Sequence, residues 1–437
     1  MISSQTISSS SLKPGHHDSP VPSGASDREA LFAMLAERYG TPFYVYDADV
    51  IDRQVSTLRA VLPETVSSKI LYSFKSNPNP VVAGRMNEGG CRADLTSVGE
   101  IEAARVAGFD LREALYGGPG KSVNELAVAL SVGIRQFSIE SPSDLAALRE
   151  AAEAQEVTVK GLIRINPHQI PRAKLAMSGV ASQFGFEEDV LRESGKEILS
   201  HAGEQVEIVG VHIYWGTQIG DAEALASCFE LTVQIAEELS ELLDFPLKIL
   251  NLGGGFPWPY SSAGEGPDLS PLRDKLAELV TSSGKAREAE WWFESGRFLS
   301  AASGTLVSRV MDLKVSKEEK EFLILDTGIH HLGGMAGLGR IPKFSIDLEI
   351  PASRQDNEEM TVDVVGQLCT PLDCIGRRIK MPRVEAGDLV AIPNTGAYGP
   401  TASVLGFLSR PAPTEILHRG GTVLAASRLR GGHDLLD

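Results

Sequence analysis

The sequence predicts an α/β protein, a (β/α)8 barrel followed by a C-terminal all-β domain. Three observations carry this. Eight short apolar runs, each trailed by an amphipathic stretch, alternate over about 230 residues, close to the ~250 residues of a typical barrel. After residue 300 the helical stretches stop, and strand-like runs separated by turns take over. Glycine, at 43 of 437 residues, exceeds its usual ~7% share, as a chain with many tight turns requires. An open doubly wound sheet is the alternative for the first part.

Taken in order, residues 1–26 (MISSQTISSSSLKPGHHDSPVPSGAS) are rich in Ser, Pro and Gly and lack apolar periodicity. They read as a disordered tail, because they cannot bury enough surface to offset their ordering entropy. With no apolar stretch and no Arg, the tail matches neither a secretory signal nor a transit peptide. A helical pattern begins at Asp27 (Leu31, Met34, Leu35, Arg38) and ends near Gly40-Thr41-Pro42. PFYVYD (42–47) then alternates like a strand; lying ahead of the barrel, the segment 27–48 is expected to join the β domain. The barrel is expected over 49–300. Its strands are KILYSFK (69–75), CRADLTS (91–97), EALYGG (113–118), RQFSIES (135–141), KGLIRIN (160–166), IVGVHIYWG (208–216), LKILNLGGGF (247–256) and EWWFESGR (290–297). Helices are expected between them, as at 97–108, 141–153 and 224–243. The β domain, 301–437, holds VSRVMDLKVS (307–316), EFLILDTG (321–328), FSIDLEI (344–350), MTVDVVGQL (360–368), DLVAIPNT (388–395) and GTVLAASRL (421–429).

Composition narrows the function. The net charge of −17 and the lack of any Lys/Arg-rich run make the chain a poor partner for nucleic acid or an anionic membrane. No stretch approaches 18 uncharged apolar residues, so no transmembrane helix is expected. Four cysteines (Cys91, Cys228, Cys369, Cys374) form no C-x-x-C pair and read as reduced thiols of a cytoplasmic enzyme.

A barrel places its working residues at the C-terminal ends of its strands, and polar residues collect there. The first strand ends in Lys75. A strand-end lysine is usually a surface residue with its stem laid along apolar neighbours; held in a barrel mouth, desolvation would lower its pKa and make it a nucleophile. The seventh ends in the glycine run 253–255, either a plain turn or backbone N–H groups open to a phosphate. The eighth offers Glu294 and Arg297, a surface pair or two groups facing one ligand. His212 and Tyr214 alternate on a strand, a pattern that usually means packing but could stack one ring on a flat cofactor. Cys369 and Asp373 share a loop of the β domain, where a cysteine is most often a small hydrophobe. Tyr398 stands between glycines. His330 and His331 lack the supporting spacing of a metal site, so none is expected.

In their order and spacing, Y-S-F-K-S-N (72–77), D-L-T-S-V-G-E (94–100), L-I-R-I-N-P (162–167), V-H-I-Y-W-G-T-Q (211–218), G-G-G-F (253–256), E-S-G-R (294–297), C-T-P-L-D (369–373) and G-A-Y-G (396–399) closely resemble the fold-type III pyridoxal-phosphate decarboxylases, the group of diaminopimelate, ornithine and arginine decarboxylases. The resemblance spans roughly residues 40–420. It implies pyridoxal 5'-phosphate as cofactor, with Lys75 bonded to its aldehyde carbon. Gly253, Gly254, Gly255, Arg297, Thr217 and Tyr398 would hold the phosphate, Glu294 would face the pyridine nitrogen, and Asp94 would lie near the lysine. It also implies a homodimer with shared sites, in which Cys369 comes from the second subunit to deliver a proton after CO2 leaves. Asp373 would lie in the substrate pocket across the same interface. A carboxylate at the ring nitrogen keeps the ring protonated and favours decarboxylation; the racemases of this fold resemble a case with arginine there.

Departures from the family pattern bear on the substrate. The usual stacking histidine is Tyr214, E-P-G-R is E-S-G-R, and the lysine before Phe-Gly is Gln183. Diaminopimelate decarboxylases carry Glu directly after the active cysteine, where this chain has Thr370. Their arginine-containing stretch for a distal carboxylate is replaced by IHHLGGMAGLGRIPKF, in which Arg340 is the nearby basic residue. The resemblance is therefore closest to the secondary-metabolism branch, which acts on carrier-protein-linked or siderophore-type amino acids. Diaminopimelate decarboxylase, an amino-acid racemase, and a non-catalytic binding protein on the same fold are the alternatives.

Overall fold

The computed structural model of the chain describes residues 25–168, 182–333 and 346–431. The expected tail, up to residue 24, and Arg340 lie outside them. The helix Ala25–Tyr39 leads into β1 (Phe43–Asp47). Then come β2 (Ser68–Ser73), β3 (Arg92–Leu95), β4 (Leu115–Tyr116), β5 (Gln136–Ile139), β6 (Val159–Asn166), the two-residue β7 (Phe186–Glu187), β8 (Val206–Ile213), β9 (Ile249–Asn251) and β10 (Glu290–Ser295). Eight of these, all but β1 and β7, pair in parallel in the order β2-β3-β4-β5-β6-β8-β9-β10, and β10 pairs back to β2, closing the barrel. An open doubly wound sheet is thereby excluded.

The intervening helices start where short side chains satisfy first-turn amides. Ser97 accepts from Glu100 N, and Ser141 from Asp144 N; at Val123–Ser131, Ser122 and Glu125 form a reciprocal capping box. Inside the barrel, Leu71, Leu115, Leu162, Val209, Ile249 and Trp292, one from each of six strands, pack into one buried apolar layer. Side chains two apart on a strand share a face. The residues that follow Leu71, Ile249 and Trp292 at that spacing are Ser73, Asn251 and Glu294, so a polar layer sits directly on the apolar floor.

The second sheet runs β14-β13-β12-β11-β1-β16-β17, with β15 also on β11. Its strands are β11 (Gly304–Val315), β12 (Glu321–Leu325), β13 (Glu359–Val365), β14 (Cys374–Pro382), β15 (Leu389–Ile392), β16 (Thr414–Arg419) and β17 (Thr422–Ser427). β1 lies between β11 and β16, antiparallel to the first and parallel to the second. Two strands, β14 and β16, lie outside the runs that the sequence pattern marks. One anticipated strand, FSIDLEI, is reduced over its described part, 346–350, to a single bridge between Glu349 and Ala391. No described helix is long and apolar enough to cross a membrane.

Candidate active site

Around the barrel mouth, the ends of β2, β8, β9 and β10 converge on one cleft lined by Ser73, Lys75, Tyr214, Thr217, Gly254, Gly255, Glu294, Ser295, Arg297 and Tyr398. Lys75 lies in a short 3-10 turn directly after β2, its Nζ 5.4 Å from the centre of the Tyr214 ring. Tyr214 stands one residue beyond β8, so it faces the cleft, whereas His212, still within the strand, points into the barrel. Burial alone would lower the Lys75 pKa, as its position at an apolar strand's end suggested. The nearby Asp94, then Tyr214 and Glu294, outweigh that penalty and leave it above the ordinary lysine value. The expected depressed amine is therefore corrected: the lysine is held charged by its acidic neighbours.

The two carboxylates of the polar layer diverge. Asp94 is 6% exposed; burial, then the like charge of Glu294, push it up to about 7 despite Lys75 and the Ser73 hydroxyl. Glu294 is 4% exposed. Burial opposes its ionisation, but His212, Lys75 and Asn251 overcome this and hold it well below the usual carboxylate range. Asn251 Nδ2 donates to Glu294 Oε1 at 2.8 Å, and His212 Nε2 lies 3.1 Å from the same oxygen. His212 Nδ1 and Ser138 Oγ are 2.8 Å apart. His212, Asn251 and Ser138 were not singled out as Glu294's neighbours; the position of Asn251 just ahead of the glycine run was the available signal.

At the other end of the cleft, the guanidinium of Arg297 lies between the rings of Tyr260 and Tyr398, 5.1 and 4.8 Å from their centres. Tyr260 donates its hydroxyl hydrogen to the Tyr398 carbonyl at 2.8 Å, fixing the pair. Among the described residues, Arg297 Nε and the Ser295 hydroxyl are buried without a hydrogen-bond partner. The glycine run is needed for close approach: a Cβ at Gly253 would stand 2.4 Å from the Ile213 carbonyl oxygen, and one at Gly254 2.5 Å from that of Glu294.

Cys369, Thr370 and Asp373 are not among the cleft's lining residues. They sit on the β13–β14 loop, where Cys369 is exposed and Leu372 is 74% exposed. Thr370 builds the turn, its carbonyl accepting from Asp373 N at 3.1 Å. The Asp373 carboxylate, 3% exposed, accepts from Ile329 N at 2.8 Å and Leu368 N at 2.7 Å. His330 and His331 are buried with their rings 3.7 Å apart. Among the described residues, no group of three His, Cys, Asp or Glu could hold a metal ion.

This set fits pyridoxal phosphate. Orphaned donors, an arginine that forms no ion pair among the described residues and close-packed glycines suit a phosphate dianion. An ionised carboxylate suits a pyridinium nitrogen, and an amine lies between the two ends. A family model described as "Pyridoxal-dependent decarboxylase, pyridoxal binding domain" matches residues 48–301. Over 400 residues the chain is 33% identical to the L-glutamyl-[BtrI acyl-carrier protein] decarboxylase of Niallia circulans, covering 90% of this chain and 92% of that one. It is 30% identical over 392 residues to the diaminopimelate decarboxylase of Aquifex aeolicus, 89% of each chain. The crystal structure of Helicobacter pylori diaminopimelate decarboxylase complexed with L-lysine superposes with a TM-score of 0.76 at 26% identity, covering 89% of this chain and 94% of that one. The chain belongs to the pyridoxal-dependent decarboxylases, enzymes that remove CO2 from an amino acid with pyridoxal phosphate as cofactor.

Proposed function

We propose that the substrate is an α-amino acid whose far end is extended, as in a carrier-protein thioester or an amide, and that the enzyme serves secondary metabolism in the cytoplasm as a homodimer with shared sites. The observation that carries the substrate reading is the neutral Thr370 after Cys369: it closes the loop's own turn and leaves that position with no charge for a distal ammonium. A buried ammonium without a partner costs several kcal/mol. The carrier-linked substrate named for the Niallia circulans relative supports the same reading. Exposure of Cys369 and Leu372 on a loop pinned by Asp373 supports the dimer, since a partner would cover the leucine and receive the thiol. The four unpaired thiols are in keeping with a reducing compartment.

Bound pyridoxal phosphate supplies an electron sink for the pair left behind when CO2 departs. Lys75 would hold the cofactor through Nζ, with Asp94 beside that amine as its acidic neighbour. Arg297, Thr217, Tyr398 and the amides of Gly253, Gly254 and Gly255 bind the phosphate. Tyr214, which lines the cleft, would offer the ring an aromatic face without a titratable imidazole. Glu294 holds the proton on the ring nitrogen. Cys369 of the second subunit returns a proton to the α-carbon, with Asp373 holding its loop in place.

Side-by-side measurement of CO2 release tests the substrate. Amidated or thioester-extended amino acids should show a higher kcat/KM than meso-diaminopimelate. A kcat/KM for diaminopimelate above that of every extended substrate would restore the primary-metabolism reading.

A further inference from the structure

We infer that His212, which touches neither cleft nor surface, is a positioning residue that keeps Glu294 ionised and presents one particular oxygen of it to the cofactor. The inference rests on Glu294 facing the pyridine nitrogen, as proposed above.

His212 is 4% exposed and lies in the polar layer on the barrel's apolar floor. Its Nε2 stands 3.1 Å from Glu294 Oε1, within ion-pair distance but not aligned as a hydrogen bond, and among the described residues it has no other partner; the same oxygen accepts from Asn251 Nδ2 at 2.8 Å. Asn251 is itself fixed, because its Oδ1 accepts from Gly253 N at 2.9 Å at the start of the glycine run. Both neighbours thus converge on Oε1, and Oε2 is left for the cleft that Glu294 lines. The ring cannot turn freely, since Nδ1 is engaged by Ser138 Oγ at 2.8 Å. When that hydroxyl donates to Nδ1, a neutral imidazole carries its hydrogen on Nε2, facing the carboxylate; the opposite tautomer would set a lone pair against it. Ser138, from β5 on the far side of the barrel, holds the ring in place, and with its hydroxyl donating to Nδ1 it supports the tautomer that favours the anion.

The electrostatic need is specific. A carboxylate this deeply buried would by itself drift toward the neutral form. Glu294 also shares the layer with a second carboxylate, Asp94, which its charge pushes toward the neutral form. If the anion is not supported from behind, the carboxylate becomes the stronger base of the pair and takes the proton from the ring nitrogen. The ring then loses its positive charge and its capacity as a sink. A side chain that sets an N–H or a positive charge against Oε1 from the protein side lowers the basicity of Glu294 without competing for the cleft.

The test uses the dimeric holoenzyme reconstituted with pyridoxal phosphate labelled with 15N in the ring, whose chemical shift separates pyridinium from neutral pyridine. The variants are Glu294→Gln, His212→Gln, Ser138→Ala and the double variant Glu294→Gln/His212→Gln, each with its cofactor affinity, thermal midpoint and kcat. The wild type should give the pyridinium signal at neutral pH and Glu294→Gln should lose it. His212→Gln should move the signal toward neutral pyridine and lower kcat roughly ten- to a hundredfold, the range for one charge-assisted hydrogen bond, with Ser138→Ala moving it the same way by less. Adding His212→Gln to Glu294→Gln should cost little more, because the first acts through the second. A His212→Gln enzyme with the wild-type signal, beside a Glu294→Gln enzyme that has lost it, would overturn the inference and leave the role of Glu294 standing. Retention of the pyridinium signal in Glu294→Gln would instead remove the role of Glu294, and this inference with it. Should His212→Gln fail to fold, the signal of Ser138→Ala decides alone, an unshifted signal counting against the inference.

Discussion

Removing the Asp373 carboxylate tests whether the cysteine-bearing loop is organised from within its own subunit. The carboxylate is 3% exposed and bridges two stretches of chain, accepting from Ile329 N at 2.8 Å and Leu368 N at 2.7 Å. Both stretches press on it closely: a Cβ at Gly328 would stand 2.2 Å from Oδ1, and one at Gly366 2.3 Å from Oδ2. In Asp373→Ala one buried amide, Leu368 N, and one part-buried amide, Ile329 N, lose their acceptor at once. An unsatisfied buried donor costs about 1–3 kcal/mol, so each amide should open roughly 5- to 150-fold more often. Hydrogen–deuterium exchange on peptides covering 327–333 and 366–374 reads this directly, with barrel peptides as the internal control. kcat should fall more than KM rises, because Cys369 is displaced while the cleft is untouched. Asp373→Asn should lie between, since its NH2 group would meet an N–H where an oxygen is needed. Unchanged exchange in both segments of Asp373→Ala would refute the loop-anchor argument; if KM then carried the loss, the carboxylate would be a substrate contact instead.

Three further outcomes are expected. Lys75→Ala should abolish the visible absorption of the holoenzyme and the borohydride labelling of this residue; a labelled peptide containing another lysine would sink the assignment. Mixing inactive Lys75→Ala and Cys369→Ala chains should restore at most about a quarter of wild-type activity under random exchange, through a heterodimer with one native and one doubly defective site, and no recovery after confirmed exchange counts against a shared site. Burial and the adjacent His330 lower the His331 pKa from 6.5 to about 3, so its contribution to stability is complete above about pH 6.5 and is lost as the pH falls toward 3, where the unfolded chain binds a proton that the folded one refuses. Denaturant unfolding at pH 7 and 4.5 should therefore show a smaller acid loss in His331→Gln than in wild type, and an equal loss would show that His331 titrates normally.

The barrel was legible because its strands are largely buried on both faces and helices alternate with them, several opened by a capping Ser, Asn or Asp, so apolar runs and helical stretches follow one another in the sequence. The β domain was less so, for reasons visible at two strands. β14 is an edge strand interrupted by Gly376 and by Arg378, whose φ is +53°, where the pairing register with β13 slips; a bulge breaks the alternation that identifies a strand. β16 buries Glu415, which the hydroxyl of Tyr46 satisfies at 2.8 Å, so a charged residue sits where the pattern requires an apolar one. FSIDLEI alternates correctly, yet over its described part forms only one bridge, since alternation records which residues are buried and not what they pair with. At the candidate site, strand-end motifs found the residues of the cleft. They could not find His212, Asn251 and Ser138 as a set, because these come from β8, β9 and β5 and meet only when the barrel closes.

Closure also separates the two acids. Asp94 and Glu294 occupy one polar layer above one apolar floor, both almost fully buried, and neither residue type nor burial distinguishes them. What differs is the side from which each is supported. Glu294 has an amide and an imidazole behind it on β9 and β8, which favour its anion whatever lies in the cleft. Asp94 has chiefly the Lys75 ammonium and a serine hydroxyl, and it rises to about 7. Environments that push two carboxylates apart in this way assign them different tasks. The one supported from behind by a fixed amide and imidazole stays charged through a reaction cycle and suits a cation that must persist, such as a protonated ring nitrogen. The one balanced chiefly by a lysine changes state when that lysine does, and suits a proton that must move.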